Sequence, residues 1–392
     1  MSRIALLFGS STRMSPPMDA FWIWQQPDWP AFDWDNHQLS TLLRECVQAQ
    51  GRLLGKAGAV AEVNANREVL DTLLQNIVTS CAIEGEQLNV ESVRSSLARR
   101  LGIDEPGPTS ARSEGLADLM LDATQGYNRA LGQQRLFTWH RWLFPETGAL
   151  LTPVLPVGEL RGATPMQVVS GRMDKPRVHF EAPPRMGLEQ QLQQFLDWFE
   201  ASRNDPQIDP LLRAGVAHFW FVTLHPFADG NGRLTRAITD LALAQGEQQA
   251  IRFYAMSQSI LEDRSGYYAV LESSQRSGLD ITDWLRWFLA TLLRSLQQAL
   301  TRIDRVLAKA RFWQSHRGDG LQAEQIKVLN RLLDGGPSGF EEGISASQYQ
   351  AVAKVSKATA TRHLADLLAK GCLVRLPGGG RSTRYQVDTQ AV

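Results

Sequence analysis

Apolar residues recur at helical spacing along most of this chain, and that period sets the fold class before any motif is read. From Thr282 to about His316, one stripe collects Trp284, Phe288, Leu292, Leu296, Leu300, Ile303 and Leu307, the pattern of a helix that buries one face. The stripe is wide and lacks heptad discipline, which favours packing on a main domain over a coiled coil. Similar patterns predict helices at about 37–58 and 64–84, the second with Val69, Leu70, Leu73, Leu74, Ile77 and Val78 on one face. Further helices are predicted at about 90–100, 112–131, 186–202, 209–224, 231–245 and 258–275. Residues 150–184 change character. Pro153, Pro156, Gly158 and Gly162 punctuate them, and Met166–Val169 and Arg177–Phe180 read as short strands around Gly171 to Pro176, a β-hairpin signal. The expected class is mainly α with one small hairpin.

The chain has 392 residues, too many for one compact core. The expected division is a disordered start over 1–19, an aromatic segment with helices over 20–110, a main domain with its long helix over 111–317, and a small domain over 318–392, the last boundary marked by Gly318 to Gly320. Formal net charge is zero, so bulk electrostatics draws the chain neither to nucleic acid nor to an anionic membrane, and any basic surface must be local. No apolar run approaches the length of a membrane span. The first residues faintly resemble a signal peptide, but Arg13 and two prolines break the pattern, and Met14 or Met18 is an alternative start. Cys46, Cys81 and Cys372 stand far apart without CxxC pairing. That excludes a disulfide framework or a thiolate zinc site, and fits buried thiols in a reducing cytoplasm.

Residues 20–35 carry Phe21, Trp22, Trp24, Trp29, Phe32 and Trp34, spaced by Pro27 and Pro30. Prolines make this an extended segment, expected to be clamped against the helical body; a ligand-binding role is the alternative.

The chemistry concentrates in His225-Pro-Phe-Ala-Asp-Gly-Asn-Gly-Arg-Leu-Thr-Arg236, between an apolar helix ending near Leu224 and an amphipathic helix beginning near Asn231. Gly230 and Gly232 let the backbone turn tightly and aim amides at an anion, where the helix dipole also favours negative charge. Arg233 and Arg236 add cations that can fork onto phosphate oxygens. Asp229 offers a hard carboxylate for Mg²⁺, and His225 can take a proton from an attacking hydroxyl. Phe227 is expected to face the core and hold the loop.

These residues match every specified position of HxFx(D/E)GNGRxxR, so the chain resembles the Fic family, over roughly residues 115–275. The resemblance implies a mostly helical Fic (Fido) fold with a β-hairpin flap, and AMP transfer from Mg·ATP to Ser, Thr or Tyr hydroxyls of a target protein, with self-modification possible. On this sequence it makes His225 the general base and Asp229 the Mg²⁺ ligand. Gly230, Asn231 and Gly232 would hold the α- and β-phosphates, and Arg233 and Arg236 the β- and γ-phosphates. Some relatives move phosphate or phosphocholine instead; Gly232 and Arg236 leave room and counter-charge for a nucleotide and favour AMP. The family also implies a homodimer.

Ser80-Cys-Ala-Ile-Glu-Gly85 resembles the family's inhibitory motif (S/T)xxxE(G/N). Ser80 and Glu84 share a helix face, Gly85 sits where a helix would end, and a carboxylate there could pair with Arg236 in the γ-phosphate's place, in cis. In some relatives this glutamate supports removal of AMP. The hairpin with Val168 and Val169 resembles the flap that aligns a target strand, although a structural hairpin fits equally. Tyr267 and Tyr268 resemble an adenine-side pair, and a core role fits them too.

Residues 318–390 resemble a winged helix-turn-helix, with helices at about 321–334, 345–353 and 357–370, strands at Cys372–Leu376 and Arg384–Val387, a recognition helix beginning at Ser356 and a wing from Gly378 to Arg384. Between Gln350 and Val392, seven Lys/Arg face Asp366 and Asp388, a basic excess suited to DNA phosphates or to a protein-docking face. The alternative reading of the whole chain is a DNA-binding regulator whose Fic domain senses nucleotide.

Overall fold

A computed structural model describes residues 2–3, 22–145, 156–172, 175–249, 253–335, 340, 342–378 and 383–388, with side chains of 58–66 and 170–177 outside the described set. Of the start expected to be disordered, only Ser2–Arg3 is described, as β1, paired antiparallel with β2 (Asp33–Trp34). The rest of residues 1–19 lies outside the described residues. Contacts divide the chain into two units, Met1–Gly51 with Ala65–Gln297, and Arg52–Asn64 with Gln298–Val392. Among the described residues, no helix is long and apolar enough to cross a membrane.

The structure is mainly helical, with a small antiparallel hairpin in the first unit. Where two helices are expected near 37–84, one continuous helix, α1 (Asn36–Ile83), runs through. Nothing stops it: residues 57–65 contain no proline, and Ala57, Ala59, Ala61 and Ala65 offset the cost of Gly55 and Gly58. The predicted 112–131 helix ends early. After α2 (Val90–Arg100) comes α3 (Ala111–Gln125), stopped at Gly126, and then a separate helix absent from the sequence reading, α4 (Gln133–Leu143). Gly115 lets α3 and α4 touch, because a Cβ there would strike the Trp142 carbonyl.

The hairpin strands are longer than the periodicity predicts: β3 (Gln167–Arg172) and β4 (Lys175–Glu181). Gly171 and Pro176 face each other within the ladder, a place where neither is expected from propensity, though a hairpin edge tolerates both. After α5 (Leu188–Ala201) the core forms around α6 (Pro210–Leu224) and α7 (Asn231–Glu247). All of Leu211–Leu224 is buried, as befits a helix that is apolar all round. Asp209 caps its first turn and Pro210 occupies the position where a missing N–H costs nothing. The expected 258–275 helix is two, α8 (Met256–Glu262) and α9 (Arg264–Gln275), broken at Asp263, whose carboxylate accepts from the Gly266 amide at 3.2 Å. α10 (Thr282–Ser315) follows, with Trp284 donating to the Gly215 carbonyl at 2.8 Å.

The aromatic segment is less extended than its prolines suggest: Ile23–Gln25 form a 3₁₀ turn. It is clamped as expected. Phe32 is fully buried against Phe219 and Trp220, and Asp33 bonds the backbone of Leu279 and Ile281.

The second unit holds α11 (Ala323–Asp334), α12 (Ala346–Ala353) and α13 (Lys357–Ala369) over a three-stranded antiparallel sheet ordered β5 (Ile344–Ser345), β7 (Arg384–Val387), β6 (Leu373–Arg375). β5, two residues long, escaped the sequence reading. Part of the expected wing, residues 379–382, lies outside the described residues.

All three cysteines are buried and free. Burial pushes Cys46 up to about 12, and Cys81 and Cys372 up to about 11. Cys372 Sγ nevertheless lies 3.5 Å from His316 Nδ1, which is 2.6 Å from Asp319, so the absence of CxxC spacing did not exclude a mixed cluster. A ligating imidazole normally donates its far N–H to a partner, and among the described residues His316 Nε2 has none. The trio therefore reads as a packed group.

Candidate active site

α6 ends on His225, which adopts the left-handed conformation (φ 48°, ψ 56°). A histidine there is uncommon and needs support. Arg161 supplies it: its Nε donates to the His225 carbonyl at 2.8 Å, its amide to the Pro226 carbonyl at 3.0 Å, and its Nη2 to Pro183. Arg161 is buried and was missed in the sequence, since a lone arginine before a hairpin carries no local signal.

The tautomer of His225 follows from its partner. Nδ1 lies 3.0 Å from the Val222 carbonyl, which can only accept, so Nδ1 carries the proton and Nε2 keeps its lone pair. Burial lowers the imidazole pKa, and Arg161 lowers it further, against the opposing influence of the Val222 carbonyl, Glu84 and Asp229. The ring is held neutral and ready to accept.

The loop after it is braced from beneath. Phe227 is fully buried, and its ring stacks on His140 at 4.3 Å. The Gly158 amide donates to His140 Nδ1 at 2.8 Å, so Nε2–H donates to the Asp229 carbonyl at 3.1 Å. Burial pushes His140 down to about 4. Asn231 corrects the sequence reading. Its side chain faces inward, accepting from the Phe227 amide at 2.9 Å and donating to the Phe227 carbonyl at 2.8 Å, so only its main chain remains for a phosphate.

Gly230 opens α7 at φ 81°, and a Cβ there would press on the Phe144 ring. Gly232 has a different need: a Cβ would collide with Glu84 Oε1. The Glu84 carboxylate thus sits directly over the glycine loop. Asp229 is exposed at the lip, with Oδ1 accepting from the Gly230 amide at 2.6 Å. A hard, exposed carboxylate beside such a loop suits Mg²⁺.

The two arginines are both occupied. Arg236, side chain 3% exposed, donates to Ser80 Oγ, to the Ser80 carbonyl and to Glu84 Oε1, each at 2.8 Å. Burial opposes charge on Glu84, yet Arg236 draws its pKa below the usual carboxylate range. Gly85, at φ 80°, ends the helix directly behind it. Arg233 Nη1 bonds Glu86 Oε2 at 2.6 Å, and Arg112 holds the same carboxylate. Glu86 is a second functional candidate that the sequence reading missed, because the inhibitory motif stops one residue short of it. Buried Arg233 Nε and Arg236 Nη1 have no partner among the described residues.

These groups border a cavity of about 870 Å³ lined by Glu84, Val169, His225, Gly230, Gly232 and Tyr268 among others, within the range of small-molecule sites. Val168 also lines it. The tyrosine pair divides. Tyr267 is buried, its hydroxyl 3.0 Å from His218 Nε2, and serves the core at the cavity floor, whereas Tyr268 is 37% exposed beside Arg264.

Residues 130–243 match the Fic/DOC family, and residues 22–103 match a domain of unknown function, DUF4172. The region that holds the site is thus similar to the Fic/DOC family. It is 25% identical over 234 residues to a protein adenylyltransferase Fic of Drosophila mojavensis, covering 58% of this chain and 42% of that one. It is likewise 25% identical over 229 residues to its namesake from Nematostella vectensis, covering 56% and 47%. The chain thus spans less than half the length of these relatives. The crystal structure of a Fic family protein from Desulfovibrio desulfuricans G20 shares the fold, with TM-score 0.52 and 21% identity over 89% of this chain and 95% of that one.

Asn231→Ala should strand two main-chain groups of Phe227 in the core and destabilise the protein by about 1–3 kcal/mol. Urea unfolding checks this; an unchanged midpoint would mean the brace is idle.

Proposed function

We propose that the chain transfers AMP from Mg·ATP to a Ser, Thr or Tyr hydroxyl of a protein, and that Glu84 suppresses this in cis. The observation that carries the reading is the placement of the unprotonated Nε2 of His225 and the Glu84-occupied glycine loop around one cavity.

The acceptor hydroxyl would lose its proton to His225 Nε2 while its oxygen attacks the α-phosphorus; the bond to the bridging oxygen breaks and pyrophosphate leaves. Amides of the Gly230–Gly232 turn and the start of α7 would stabilise charge on the phosphoryl oxygens. Arg236 and Arg233 would exchange carboxylate oxygens for phosphate oxygens, and their orphaned N–H groups mark room for more. Asp229 would hold Mg²⁺, which neutralises phosphate charge when bound. With Glu84 on Arg236, a γ-phosphate finds its cation taken and its space filled.

A second reading, compatible with the first, concerns the C-terminal unit. Lys357, Thr361 and Arg362 lie exposed along α13, opposite buried Ala360, Leu364 and Leu367. We infer a winged-helix module that lays this face on DNA.

Glu84→Gly should raise labelling of protein by radioactive ATP, self-modification included, and His225→Ala in that background should abolish it. Equal labelling by Glu84→Gly and the parent chain removes the brake. Because the folded pKa of His225 is lowered, the proton-accepting form persists as pH falls. The acid limb of the Glu84→Gly rate profile should therefore lie below about 6.5, the ordinary imidazole value; a limb above it refutes the assigned environment. For the C-terminal unit, fluorescence anisotropy with duplex DNA should show binding that weakens steeply between about 50 and 200 mM salt and is lost in Lys357→Glu/Arg362→Glu. No binding at the lower salt ends that reading.

A further inference from the structure

We infer that the aromatic segment ahead of α1 holds the flap, which makes Trp22 and Trp24 positioning residues for the target; the inference rests on the transfer reading above. It gives the start of the matched domain of unknown function a task.

A two-stranded hairpin is marginally stable on its own in water, so β3–β4 needs a surface to pack on. Met166 and Val168 on one side, and Val178, Phe180 and Ala182 on the other, turn toward Trp22 and Trp24. The Trp22 ring meets Phe180 edge-on at 5.3 Å, and the Arg276 guanidinium sits 4.6 Å from the same indole. Arg276 also donates to the carbonyls of Val178 at 3.0 Å and His179 at 3.4 Å. Further along β4, the Trp24 indole N–H donates to the Glu181 carbonyl at 2.8 Å.

His179 completes the fastening. Val168 pairs with Phe180 but Val169 with Val178, so His179 is the extra residue of a bulge. The bulge sends its imidazole to Glu272, 2.6 Å away on α9. Every residue from Val178 to Glu181 is therefore tied to the aromatic segment or to α9 and its end. β4 is closed by these side chains, while Val169 of β3 stays 52% exposed, leaving β3 as the strand to which an extended target segment would add. Val168, His179 and Phe180 also border the cavity that His225 lines.

Hydrogen exchange on the full chain tests this, with Trp24→Phe, which removes only the indole donor and keeps an aromatic ring, and Trp22→Ala. Amides within 167–181 should exchange about fivefold faster in Trp24→Phe, the worth of one net hydrogen bond, while those of α7 stay unchanged. Retention of labelled ATP should also be unchanged, yet labelling of lysate proteins in the Glu84→Gly background should fall about tenfold or more. Unchanged flap exchange in both variants overturns the clamp, and faster exchange with full labelling overturns the positioning role. If no protein is labelled even with both tryptophans intact, the transfer reading fails, and flap exchange alone still decides whether the clamp exists.

Discussion

A guanidinium buried in a protein interior must find oxygens, because stripping its hydration costs several kcal/mol. Arg236 is that group here, and its oxygens come from one turn of another helix: Ser80, through hydroxyl and carbonyl, and Glu84. This contact joins the end of α1 to the second turn of α7 and brings the only carboxylate seen above Gly232 among the described residues. On the proposed function a triphosphate would displace it, because phosphate oxygens satisfy the same donors, and that reading links release of the helix to the charge of what binds.

The loop that faces Arg236 is held independently of it. His225 keeps its unusual backbone through Arg161, Phe227 is wedged against His140, and Asn231 closes both polar groups of Phe227. These braces are buried or nearly so and none depends on a ligand, so the loop is formed before anything binds, as electrostatic stabilisation by fixed dipoles requires. The second cation follows another pattern. Arg233 shares Glu86 with Arg112, and Arg112 would keep that carboxylate paired if Arg233 turned to a phosphate. Release of Arg233 therefore need not leave a bare buried charge.

Much of this was legible locally. The signature named His225, Asp229, the glycines and both arginines, and the Ser80–Glu84 spacing anticipated the pairing with Arg236. Errors came where a local rule met a tertiary demand. α1 was expected as two helices, 37–58 and 64–84, although alanines carry it through as one. α4 was missed beyond an overlong α3, and Asp263 hid a break because a capping carboxylate looks like any exposed acid. Asn231 was given to a phosphate because the motif does not say which way an amide faces. Arg161, His140 and Glu86 left no trace, since each acts on residues far away in sequence.

By itself, the sequence determined the helical class, the hairpin's location and the chemical inventory of the site, because periodicity and residue type are local properties. Tertiary structure decided the rest. Only folding places Glu84 over Gly232, gives Nε2 of His225 its lone pair through a carbonyl three residues back, and sets Trp22 and Trp24 against β4. The physical reason is that burial and hydrogen-bond partnership are pairwise and long-range: a guanidinium or an indole states what it needs, and only the packed chain states who answers.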